Sequence, residues 1–199
     1  MPTRSSLQLA APLVDHLVPI RRQALRTTLQ IALGVALLAL LAQVRFQIGP
    51  VPITGQTLGV LLVGGAYGAS LGVATVLAYL LAGGLGLAVF SGGAAGWAVL
   101  AGPTAGYLLA FPFAAALVGA AADRGWTRGP LRTAAVMTLG SAVVYLLGLA
   151  WLDRFAPDLA TTLAWGLWPF LAGDALKVAL AAAALPVAWR WAGRRAGPA

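Results

Sequence analysis

From Phe46 to Ala122 the chain carries no charged side chain, a run of 77 residues. Soluble domains carry about 25% charged residues, whereas only 9% of these 199 residues are charged and 60% are hydrophobic. Water cannot solvate such a surface, so the run lies in lipid. Inside hydrocarbon every backbone N–H and C=O must be bonded internally, which leaves α-helices or closed β-barrels. Barrel strands alternate apolar and polar residues, but stretches such as IALGVALLALLA (31–42) are continuously apolar. The expected class is an all-α integral membrane protein.

The few charges then mark the spans, because a helix needs about 20 residues to cross a layer about 30 Å thick. Between Arg26 and Arg45 lie 18 uncharged residues, and between Arg132 and Asp153 lie 20, giving one crossing each. The 77-residue run holds three more, divided at the turn-rich segments GGAYGAS (64–70) and SGGAAGW (91–97). Only 12 uncharged residues separate Lys177 from Arg190, too few to span. A full sixth helix must begin near Trp168 and Pro169, which puts Asp174 and Lys177 inside the membrane.

Six crossings place both termini on one side. Arg4, Arg21, Arg22, Arg26, Arg124, Arg128, Arg132, Arg190, Arg194 and Arg195 share that side, against Arg45 and Arg154 on the other. The positive-inside rule makes it cytoplasmic. The expected organisation is a cytoplasmic segment 1–23, a six-helix domain 24–191 and a basic tail 192–199. The net charge of +8 reads as a topology signal, not as nucleic-acid binding. Trp151, Trp165 and Trp168 are expected near the outer interface, and Trp126, Trp189 and Trp191 near the inner one. Residues 1–22 lack the basic start, apolar core and small-residue site, in that order, of a cleaved leader.

Several chemistries are set aside by what the sequence holds. There is no cysteine and one histidine, His16, so no metal site, catalytic triad, cofactor or enzyme activity is expected. No GxxxxGK[ST] loop occurs, so any ATP hydrolysis falls to another subunit. Of the 25 glycines, 17 fall between Gly49 and Gly125, which points to close helix packing and infolded loops in that half.

Three clusters carry polar chemistry. Asp174 and Lys177, at i and i+3, share a helical face. Each costs about 2.5–3.5 kcal/mol at the bilayer centre, so they turn inward and pair. They are a structural ion pair, a proton relay, or a pair completed by a ligand presenting both N–H and C=O groups. In GPVPITGQT (49–57) two prolines forbid regular helix, leaving Thr54, Gln56 and Thr57 as hydrogen-bonding groups on a loop. Thr54 suits helix capping as well as ligand contact, whereas Gln56 is less easily a cap. In AGPTAGYLLAF (101–111) Pro103 suits a helix start, and Tyr107 covers a ligand or sits at the interface. Ala32 and Ala36 form a small-xxx-small pair on the first helix.

The order of VPITGQTLGVLL (51–62), LAYLLAGGLGLAVF (77–90), GPTAGYLLAF (102–111) and GDALK (173–177) resembles the BioY family. These are the biotin-binding S components of energy-coupling factor (ECF) transporters, and the likeness runs from about residue 24 to 190. It implies a six-helix S-component fold in a bacterial or archaeal cytoplasmic membrane. It implies biotin contacts at Asp174 and Lys177, with Gln56, Tyr107, Thr54 and Tyr79 as secondary contacts. It also implies that Ala32 and Ala36 dock a transmembrane coupling (T) subunit, powered by two ABC ATPase subunits. Loop 91–103 holds no arginine for the ligand's carboxylate, leaving glycine-rich backbone amides or water. The rival reading is a proton-coupled secondary transporter of a small polar metabolite using Asp174, since GAAADRGWTR (119–128) resembles a loop motif of major facilitator carriers. Six crossings make only half of such a carrier.

Overall fold

The computed structural model describes residues 12–17 and 23–195, with side chains for 12–15 and 23–192. Arg4, Arg21, Arg22 and the side chains of Arg194 and Arg195 lie outside the described residues. Five helices are long and apolar enough to cross a membrane. A short helix α1 (Leu13–Leu17) precedes them, burying Leu13 and Val14. Helix α2 (Gln23–Gln43) has no proline or charge beyond its first turn and is the least buried of the five.

The chain then leaves helix where Pro50 and Pro52 remove backbone donors. Strands β1 (Arg45–Phe46) and β2 (Ile53–Thr54) pair antiparallel, Arg45 opposite Thr54. Helix α3 (Gln56–Gly84) follows, and it is not straight. Gly68 has φ 77° and ψ −179°, a region essentially reserved for glycine. A Cβ on Gly72 would stand 3.2 Å from the Gly64 Cα, although eight residues of straight helix span about 12 Å. Helix α3 is therefore a hairpin with arms 56–67 and 69–84. The break expected somewhere in GGAYGAS falls on one residue with no loop.

What holds that turn comes from the next helix. After loop 85–104, helix α4 (Ala105–Asp123) returns across the bundle. Its last residue, Asp123, accepts a hydrogen bond at 3.1 Å from the Ala69 N–H, satisfying an orphan donor at the start of the second arm. One turn earlier Gly119 lets the backbones meet: a Cβ there would lie 2.5 Å from the Ala69 Cα. Helix α4 is the centre of the bundle, packing on α3 and on α5 (Pro130–Leu152). Its Ala110, Ala114, Ala115 and Val118 are fully buried.

Helix α6 (Leu159–Gly166) lies in the next connection, its first turn capped by Asp158, which accepts from the Thr161 N–H at 2.7 Å. Helix α7 (Trp168–Arg195) completes the bundle. Its start at Trp168 matches the residue demanded by span length. One end of the bundle gathers the β-hairpin, loop 85–104 and α6, joined by Gln43 Nε2 donating to the Phe90 carbonyl (3.2 Å) and Trp151 Nε1 to that of Gly102 (3.0 Å). The opposite end carries the Gly68 turn and residues 124–129. There Trp189 Nε1 donates to Thr127 Oγ1 (3.1 Å), and the Arg128 guanidinium stands 4.7 Å from the Trp189 ring centroid.

Candidate functional site

A cavity of about 210 Å³ opens at the end that carries the β-hairpin. Its wall combines polar groups with an aromatic lining. Helix α7 supplies Lys177, the first turn of α3 supplies Gln56 and Thr57, and Phe90, Tyr107, Phe111 and Phe170 form much of the apolar surface.

Lys177 Nζ donates to Asp174 Oδ1 at 2.7 Å and to Thr57 Oγ1 at 2.8 Å. An ammonium has three protons, so one remains for the cavity. Asp174 stands behind Lys177 and is absent from the cavity wall. Its other oxygen, Oδ2, accepts from the Tyr145 hydroxyl at 2.5 Å. With 13% and 10% of the two side chains exposed, the pair is nearly dry. Thr57, Lys177, Asp174 and Tyr145 thus form one hydrogen-bonded network.

Gln56 is held as firmly. Its Oε1 accepts from the Thr54 hydroxyl at 2.9 Å, and its Nε2 donates to the Tyr79 hydroxyl at 2.7 Å. One amide N–H is left over. Thr54 also accepts from the Gln56 backbone N–H at 3.2 Å and lines the cavity, while the N-cap of α3 is Gly55.

Tyr79 differs from its expected place. It is fully buried and does not line the cavity. Its hydroxyl donates to the Val89 carbonyl at 3.0 Å while accepting from Gln56, which leaves it a positioning residue for Gln56. Tyr107 lines the cavity with its ring, because its hydroxyl is spent on the Gly166 carbonyl at 3.0 Å. That ring lies nearly parallel to Phe170, with centroids 6.4 Å apart and planes at 13°.

Tyr145, Arg45 and Ser91 are among the lining residues that the expected site did not include. Tyr145 was legible in principle, since a tyrosine inside an apolar span must find a partner for its hydroxyl. Arg45 is brought in by strand β1 and Ser91 by loop 85–104, and only the fold places them. Ala32 and Ala36 are exposed on α2, on the same helix as the exposed Leu29, Leu33, Leu37 and Leu40. No group of three or more metal-ligating side chains occurs among the described residues.

The sequence pattern of the BioY family matches residues 11–194. The chain belongs to that family. Among relatives, the probable biotin transporter BioY of Pyrococcus horikoshii is 39% identical over 151 residues, covering 76% of this chain and 88% of the relative. The biotin transporter BioY of Thermotoga maritima is 32% identical over 158 residues, covering 79% and 92%. The fold is similar to the crystal structure of the S-component for biotin from an ECF-type ABC transporter, with TM-score 0.77 and 28% identity over 86% of this chain and 94% of that one. The family match therefore runs from α1 into the last turn of α7. It makes the chain a multi-pass membrane transport protein and not an enzyme.

Proposed function

We propose that this chain captures biotin in the cavity beneath the β-hairpin and acts as the substrate-binding subunit of an ECF-type transporter. The observation that carries this reading is the family match across residues 11–194, coinciding with one cavity built on a dry Lys177–Asp174 pair. In this reading the cavity end faces outward, the termini face the cytoplasm, and the two arms of α3 count as two of six crossings.

The chemistry of the floor suits a urea-like head group. Lys177, Gln56 and the Thr57 hydroxyl offer donors to its carbonyl. Asp174, behind the wall, holds Lys177 charged and in place, and the Tyr107–Phe170 stack covers the head group's apolar ring. Buried donors of this kind reject analogues that leave them unpaired. The exposed face of α2 with Ala32 and Ala36 is where a transmembrane coupling subunit docks, since small residues admit a close helix. ATP is spent by partner ATPase subunits. A proton-coupled carrier needs a carboxyl free to exchange its proton, and here both Asp174 oxygens are engaged.

Titration calorimetry of the purified full chain with biotin, riboflavin and thiamine tests the reading. Saturable binding of biotin alone is expected without any ATPase present. No heat with biotin sinks it.

A further inference from the structure

The two cations on the cavity wall are in different electrostatic states. Lys177 is neutralised by Asp174. Arg45 has no acidic partner among the described residues, and no carboxylate lines the cavity. A guanidinium that faces a cavity without a counter-acid is complementary to an anionic ligand group, and its planar fork matches a carboxylate.

The backbone holds Arg45 at this place. It is paired with Thr54 across the β-hairpin, three residues ahead of the Lys177 partner Thr57. Its guanidinium lies against Gly92, occupying the space a Cβ there would take. Beside Gly92 a second polar atom is uncommitted: Ser91 Oγ is buried, has no hydrogen-bond partner and belongs to a residue on the same cavity wall. Buried hydroxyls are ordinarily paired, so this one is open to a ligand. The same wall is apolar at Phe90, Val99, Leu108 and Phe111. The cavity thus combines donors around Lys177, an apolar lining and a second cation at the exposed Arg45.

We propose that Arg45 and Ser91 form a carboxylate subsite at the cavity rim, so that the protein selects free biotin over biotin whose carboxyl is tied up as an amide. The proposal rests on biotin as the ligand and adds what reads its tail. It also removes the need for an arginine within loop 91–103, because the β-hairpin delivers one onto that loop from outside it. A bound carboxylate then ties the hairpin to the glycine turn across the mouth.

Calorimetry of the purified full chain with biotin and with biotin amide tests this directly. Wild-type protein is expected to prefer biotin by about 10- to 50-fold, the scale of charge-assisted hydrogen bonds to a partly exposed guanidinium. R45Q is expected to bring the two affinities together by weakening biotin alone, R45K to keep part of the preference, and S91A to lose a smaller part. For wild type, raised salt should weaken biotin more than its amide. Equal wild-type affinities, or a preference unchanged in R45Q, overturn the subsite. Equal loss of both ligands in R45Q makes Arg45 structural and overturns it too. Absence of any wild-type binding to either ligand is a separate result that removes the biotin reading itself.

Discussion

Removing Lys177 alone strands a carboxylate among buried groups. With 13% and 10% of the Lys177 and Asp174 side chains exposed, solvent screens the pair little, and breaking such a pair costs about 3–5 kcal/mol. Lys177→Met is expected to lower stability on that scale. Asp174→Asn is milder, because its amide oxygen still accepts from Lys177 or Tyr145. The double variant Asp174→Asn/Lys177→Met strands no charge, and replacing a buried pair by neutral groups is often close to neutral. It should recover most of the lost stability. Biotin affinity then separates the two roles of the pair. If the pair reads the ligand's head group, the one charge-assisted hydrogen bond that Lys177 has left for it is lost, about 1.5–3 kcal/mol. That is a fall of about 10- to 100-fold at 1.4 kcal/mol per decade. Thermal unfolding in detergent reports the first quantity and calorimetry with biotin the second. A double variant that folds stably and binds biotin within about threefold of wild type refutes the reasoning, and would leave Asp174 and Lys177 a structural pair.

Two further outcomes test the hairpin and the docking face. Gly68→Ala forces a side chain into φ 77° and against the Asp123 carboxylate. It should cost about 1–3 kcal/mol in strain and about 1.5–3 kcal/mol in the lost charged hydrogen bond. Gly173→Ala, where a Cβ meets nothing within 4 Å, should leave the melting curve near wild type. Equal melting of the Gly68 and Gly173 variants would contradict the hairpin. Ala32→Trp with Ala36→Trp should leave biotin binding intact while abolishing co-purification with a coupling subunit; persistence of the complex would move the docking surface elsewhere.

The sequence by itself determined the solvent, the element type and the location of the buried charges. The reason is that each follows from local quantities, namely the spacing of charges, continuous apolarity and the residues needed to cross hydrocarbon. The start of α7 at Trp168 and the confinement of Asp174 and Lys177 to the bundle needed nothing more. Tertiary structure decided the partners. Which glycine of GGAYGAS reverses the chain depends on Asp123, 54 residues from Ala69. Whether Tyr79 touches the cavity depends on Gln56 and Val89 taking its hydroxyl first. Arg45, which span counting used only as a boundary mark, faces the cavity because β-pairing holds it over Gly92. A hydrogen bond between distant residues leaves no periodic trace in the chain. The apolar helices were therefore legible in one dimension, whereas the cavity exists only where α3, α4, α5, α7 and two loops meet.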